Sequence, residues 1–249
     1  MPFTLVGWEE SITPAGALTN ITSLTDDHIT ETGDIIQVPS DLTKIGLASS
    51  YMLLNDRAQI RAPSMQEQVN LELTALELAA EPGSPQLIDN YFPQGIELEP
   101  GEQVEALIQA ASGSVPGVIL MWLFSTIDAI PPGKRFTIRF TAATAAVAYT
   151  WGSRGITLSE RLRAGRYAVI GAKVMSDTMI AFRLIFTGQS NRPGALGVDA
   201  VDDIQAPVFR DGSLGVWGTF EHNELPRLEV LCVTTDSAFT GFLDLIKIA

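Results

Sequence analysis

Pro226-Arg-Leu-Glu-Val-Leu-Cys-Val-Thr-Thr-Asp-Ser-Ala-Phe-Thr-Gly-Phe-Leu-Asp-Leu-Ile-Lys-Ile-Ala249 closes the chain, and its outline occurs once before, half a chain length earlier, over Glu102–Ser125. In that alignment Val104, Glu105 and Leu107 match Leu228, Glu229 and Leu231, and Gly117 matches Gly241. The apolar run Val118–Phe124 falls on Phe242–Ile248. Each copy reads as strand, short polar turn, strand, the outline of a hairpin. Leu228, Val230 and Cys232 share one face, and Leu243, Leu245 and Lys247 alternate with Phe242, Ile246 and Ile248, the period of two that a pleated strand imposes. Val118-Ile-Leu-Met-Trp-Leu-Phe124 is apolar at every position, which predicts a strand covered on both faces. A repeat of this length implies two similar β-domains in tandem.

Composition agrees with that outline. The chain has 249 residues, 46% apolar and 18% charged, with 14 prolines and 21 glycines spread along it. This is enough apolar material for full cores, punctuated at the spacing of many short strands and turns. Met1–Gly7 lacks the basic start and long apolar run of a targeting signal. No apolar run approaches the roughly 20 residues needed to cross a bilayer as a helix. A single cysteine, Cys232, rules out an internal disulfide framework and a four-cysteine zinc site, and reads as a small buried strand residue.

The net charge of −13 is divided unequally. Residues 1–125 carry 3 basic and 17 acidic groups, whereas residues 126–249 carry 13 and 12. So acidic a chain is not expected to bind nucleic acid directly. Lys134, Arg135, Arg139, Arg154, Arg161, Arg163 and Arg166 form a basic stretch that contains only Glu160 as an acid. They read either as solvent-facing positions of separate strands or as a contact surface for an acidic partner, such as the first half of a neighbouring copy.

In chain order, strands are expected over Ile21–Thr25, His28–Thr30 and Asp34–Val38, and a hairpin over Lys44–Leu54 and Arg57–Ala62. Met65–Ala80 favours helix by propensity but shows two short period-two runs, and is expected as strand. Thr126-Ile-Asp-Ala-Ile-Pro-Pro-Gly133 resists both helix and strand interior and is the expected boundary. Beyond it come the alternating Phe136, Ile138 and Phe140, a strand over Ala142–Trp151, a helical turn over Thr157–Arg163, and a strand pair around Ser176-Asp177. Trp217, set between Gly215 and Gly218, suggests a strand on which another segment packs closely.

Catalytic groups are sparse. His28 and His222 stand far apart in sequence, with no metal-ligand spacing and no nucleophile elbow. Glu9-Glu10, Asp26-Asp27 and Asp202-Asp203 are adjacent carboxylates of the kind any acidic chain supplies by chance. Asp199, Asp202 and Asp203 bring carboxylates together in one loop but lack the twelve-residue calcium pattern. No catalytic, cofactor or metal residue is assigned, no cofactor is expected, and the chain reads as a non-enzyme.

At this point the chain resembles the double jelly-roll major capsid proteins of tailless icosahedral viruses. The likeness rests on the two-fold repeat and on Leu162-x-Ala-Gly-Arg-Tyr167, Arg183-Leu-Ile-Phe186, Arg192-Pro-Gly194 and Phe209-Arg-x-Gly-x-Leu-Gly-x-Trp-Gly-x-Phe220. Arg61-Ala-Pro-Ser64 and Glu81-Pro-x-Ser-Pro85 add to it in the first half. The resemblance implies an all-β fold of two tandem eight-stranded jelly-roll domains, 1–125 and 134–249, with 126–133 as linker. It implies a bacteriophage or archaeal virus capsid protein that self-assembles as pseudo-hexagonal homotrimers into an icosahedral shell. Expected partners are copies of itself, penton or minor capsid proteins, and an internal membrane. Expected localisation is the virion, after synthesis in host cytoplasm. The other reading is a tandem β-sandwich module that binds carbohydrate or another ligand, with Trp8, Trp151 or Trp217 as a stacking platform.

Overall fold

Apolar and β-branched residues recur at every second position through most of the chain, so each segment can bury one face only by joining a sheet that packs on another. The computed structural model describes residues 3–12, 17–24, 28–52, 57–65, 71–73, 75–77, 88–109, 115–143, 146–198 and 206–249. Among these the regular structure is strand, apart from two short 3-10 turns at Pro63–Met65 and Pro207–Phe209. The chain packs as two compact units. One spans Leu5–Ala80 and Gln86–Ser125, and the other Thr126–Ala249 with the first residues of the chain, of which Phe3 and Thr4 are described.

In the C-terminal unit the eight principal strands, in chain order, are Arg135–Ala143, Gly152–Gly155, Arg166–Met175, Met179–Ile185, Gly194–Leu196, Gly218–Glu221, Arg227–Cys232 and Ala238–Lys247. One sheet orders them first, eighth, third, sixth, and the other second, seventh, fourth, fifth. Thr157–Leu158 adds a short outer strand beside the first. In the N-terminal unit the same eight places are taken by Thr4–Ile12, Ile35–Gln37, Lys44–Met52, Arg57–Arg61, Leu71–Leu73, the pair Asp89–Asn90 and Ile96–Glu97, Gln103–Gln109, and Val115–Phe124. Their order is again first, eighth, third, sixth and second, seventh, fourth, fifth. That order is the jelly roll, and it occurs twice on one chain.

The repeat seen in the sequence is therefore the seventh and eighth strands of each unit. They do not form a hairpin. In both units the seventh strand lies in one sheet and the eighth in the other, and in the C-terminal unit the polar turn between them crosses the gap of about 10 Å between stacked sheets. Lys44–Met52 and Arg57–Arg61, expected as a hairpin, are likewise divided between sheets, as are Arg166–Met175 and Met179–Ile185. Three further expectations change. The helical turn expected over Thr157–Arg163 is a strand at Thr157–Leu158, paired with Phe140 and Thr141. A continuous strand over Ala142–Trp151 is interrupted by a turn in which Tyr149 has a φ of +52°, a conformation no strand contains. His28–Thr30 precedes the strand Glu31–Thr32 rather than forming one. Residues 126–133, read as a linker, pack within the C-terminal unit, where Ile130 lies over Gly212.

Both cores follow from alternation. In the N-terminal unit Trp8, Ile45, Ile60, Val104, Ile119 and Met121 are among the residues that pack as one cluster. Val118, Leu120, Trp122 and Phe124, on the other face of the same eighth strand, are also buried, as the apolar run predicted. In the C-terminal unit Phe140, Phe182, Trp217, Val230, Leu243 and Leu245 are fully buried. Phe182 stacks on Trp217 at 6.4 Å, and Phe3 meets the same indole edge-on at 5.2 Å. Each such side chain contributes about 1.5–3 kcal/mol.

The glycine shared by the two copies has a steric reason in both. A methyl group at Gly241 would lie 2.6 Å from the Lys173 carbonyl oxygen and against the Phe140 ring, whereas one at Gly117 would meet the end of the flexible Ile108 side chain. Gly241→Ala is expected to lower stability by about 1–3 kcal/mol, the usual range for overpacking, because backbone cannot retreat as a side chain can. Gly117→Ala is expected to cost less. Urea unfolding of both variants checks the order, and equal or reversed losses would contradict this account of the site.

Candidate functional site: a cationic groove in the C-terminal unit

Only part of the basic stretch from Lys134 to Arg166 comes together. Lys134 immediately precedes the first strand of the C-terminal unit, Arg139 stands on it, and Arg161 and Arg163 lie on the segment that follows Thr157–Leu158. These four, with Lys247 from the eighth strand, line one groove of about 960 Å³. Its floor is apolar and aromatic. Phe136, Leu162 and Tyr167 lie there, with Phe136 edge-on to Tyr167 at 6.0 Å. The Tyr167 hydroxyl donates to the Arg163 carbonyl at 2.8 Å and so fixes the far wall. Lys247 Nζ donates to the Ala164 carbonyl at 2.8 Å. Glu160 is the single acid among the described lining residues.

The remaining three cations go elsewhere. Arg135 pairs with Asp211 at 2.7 Å. Arg154 belongs to the opposite sheet, where Gly152–Gly155 pairs with Arg227–Cys232. Arg166 donates to the Thr219 hydroxyl at 2.8 Å. Lys134, Arg139, Arg161 and Arg163 are all exposed, and among the described residues no carboxylate lies within ion-pair distance of any of them. The groove thus concentrates positive charge that the unit itself does not neutralise.

One wall of the groove is a strand edge. Along its inner side the first strand pairs with the eighth from Arg135 to Ala143. On its outer side it pairs only at Phe140 and Thr141, and Ser159 donates to the Arg139 carbonyl. Backbone groups alternate in direction along a strand, so from Arg135 to Ile138 this outer edge has no described partner strand.

Sequence reasoning missed two buried ion clusters, because each is assembled from segments distant in the chain. Arg183, 0% exposed, and Arg192 both bind Glu229, at 2.6 and 3.1 Å, and the Arg183 guanidinium lies 3.9 Å from the Trp151 ring centroid. Asp244, 7% exposed, accepts from Arg210 at 2.5 Å and from the Thr137 hydroxyl at 2.8 Å. Burial alone would raise the Asp244 carboxyl, but the Arg210 and Thr137 hydrogen bonds outweigh it and hold the group below its ordinary 3.8.

The other singled-out groups do not assemble a site. His28 and His222 belong to different units. Glu9 and Glu10 are consecutive in one strand and face opposite sides. Burial, then the neighbouring Glu10, raises the Glu9 carboxyl. Asp26, Asp27, Asp199, Asp202 and Asp203 lie outside the described residues. Burial pushes the Cys232 thiol up to about 12, which leaves it unreactive. Trp8 and Trp217 are 0% exposed and cannot serve as a stacking platform, and the Trp151 ring is already engaged by Arg183.

No protein-family model matches the chain, and no curated protein matches it. Among solved structures, the major capsid protein P2 of bacteriophage PM2 is similar over 99% of this chain and 98% of that one, at 10% identity and a TM-score of 0.28. At that score the fold rests on the strand order itself and not on the superposition.

Asp244 sets the sign of an acid limb. Its folded-state affinity for a proton is lower than the unfolded chain's, so its contribution to stability is complete above the ordinary carboxyl value of 3.8 and is lost as pH falls below it. Asp244→Asn leaves Arg210 unpaired and is expected to cost about 3 kcal/mol near neutral pH. The gap from the wild type should narrow in acid, as read by urea unfolding across pH. A gap that stays constant would show that the carboxylate charge is not what stabilises this face.

Proposed function

We propose that the chain is a structural subunit of a self-assembling shell, a viral major capsid protein without catalytic activity. The observation that carries this reading is the pair of jelly rolls with identical strand order on one polypeptide. Two similar wedges per chain give a trimer six, and six similar wedges approximate a hexagon that tiles a surface. A single binding module has no comparable reason to repeat its whole fold.

The charge balance supports the same reading. An acidic N-terminal half and a near-neutral half with an uncompensated cationic groove favour association of unlike surfaces and disfavour binding to a phosphate backbone. On this reading the protein resides in the virion as homotrimers, contacts penton or minor capsid proteins at the shell's vertices and joints, and faces an internal membrane where the shell has one.

Native mass by light scattering, with negative-stain images of the same sample, tests the proposal. Particles near three times the chain mass of 26.8 kDa, hexagonal in outline or closed into shells, are expected. A monomer that persists across concentration and salt would overturn the self-assembling subunit.

A further inference from the structure

The groove combines three features that point to one kind of occupant. It carries five cations of which four have no described carboxylate partner, a floor of Phe136, Leu162 and Tyr167, and a strand edge with no partner strand from Arg135 to Ile138 among the described residues. A free or lipid-borne phosphate would meet the cations and leave the edge and floor unused. An extended acidic segment would use all three, since strand addition satisfies edge backbone while side chains reach the flanking charges. Lysines and arginines on an edge also guard it against neutral strands. The same charges admit an acidic one.

The chain carries a short acidic edge that would meet the cations and offer the backbone of Glu97, while Glu99 is closed in a turn with Glu102 and contributes its side chain. Ile96–Glu97 lies at the end of its sheet in the N-terminal unit, pairing with Lys44 and Ile45. Leu98 continues the register by donating to the Thr43 carbonyl at 2.8 Å. Leu98 is buried, while Glu97 and Glu99 on either side of it are exposed. Glu97 holds Lys44 at 3.1 Å with its own side chain 80% exposed. A surface pair of that kind is worth little and can exchange partners.

We infer that the cationic groove receives the acidic N-terminal unit of a second copy of this chain, with Glu97 and Glu99 set against Arg161 and Arg163. This rests on the self-association proposed above. The contact joins unlike surfaces, so it is heterologous and propagates from copy to copy until a ring closes.

Charge reversal and its compensation test the inference, with sedimentation velocity at about 0.1 M and 0.5 M salt as the readout, since the Debye length falls severalfold towards 1 M. Arg161→Glu with Arg163→Glu, and separately Glu97→Lys with Glu99→Lys, should each weaken self-association about tenfold at low salt. The combined protein should recover to within about threefold of wild type. All four positions are exposed, so the folds should melt as wild type does. Should the reversed groove fail to fold, Arg161→Gln with Arg163→Gln gives the same comparison at smaller amplitude. If wild type stays monomeric, both the shell subunit and the groove contact fall. If wild type self-associates and the reversed groove associates equally well, the groove contact alone is overturned. Failure of the combined protein to recover would overturn the pairing with Glu97 and Glu99. Loss of binding to phosphatidylserine vesicles in a groove variant that still assembles normally would assign the groove to a membrane instead.

Discussion

In both units the last strand lies between the first and the third, and the rest of each sandwich depends on that insertion. Val115–Phe124 and Ala238–Lys247 are each ten residues long and hydrogen-bond along both edges. Until they arrive, the first and third strands have no partner on their inner sides, and the sheet cannot cover its opposite number. The cost is kinetic, because the loop that closes spans nearly a whole unit. What offsets it is local. The eighth strand carries apolar residues along its length in each half, and the glycine it shares across the repeat lets a neighbouring side chain approach closely.

That division explains what could be read in the sequence. Period-two alternation identified Arg135–Ala143 and Ala238–Lys247, because a strand with one buried face must alternate, and an unbroken apolar run identified Val115–Phe124. The repeat was visible at strands seven and eight because apolar positions and one glycine align there between the halves. Alternation carries no information about which sheet a strand enters, so successive strands around Leu54 and Ser176 looked like hairpins, when each crosses between sheets. The break within Ala142–Trp151 was hidden for a related reason, since the composition is strand-like and the positive φ of Tyr149 leaves no mark in the apolar pattern.

Charge was legible as a sum and illegible as a partition. Seven cations between Lys134 and Arg166 read either as solvent-facing positions of separate strands or as one contact surface. Strand direction sends Arg135 towards Asp211 and places Arg154 in the opposite sheet, while Lys247, more than eighty positions from Arg163, completes the groove. The buried clusters show the opposite principle. Arg183 and Glu229 leave water only because each has the other, with Arg192 and the Trp151 face satisfying what remains. The deepest cation, Arg183, is paired, whereas the four exposed cations of the groove have no described carboxylate partner.

An uncompensated patch of this kind has a physical consequence for assembly. Like charges held along one edge repel each other and repel the same edge of another copy, so a symmetric contact through the groove is disfavoured. The N-terminal half, with 17 acids against 3 bases, repels its own kind just as strongly. On the proposed self-association, contact of the acidic half with the cationic groove relieves both, and it has a direction. On the proposed assembly, a shared fold would let six similar units take equivalent places in a ring, while their difference in charge would decide which unit stands beside which.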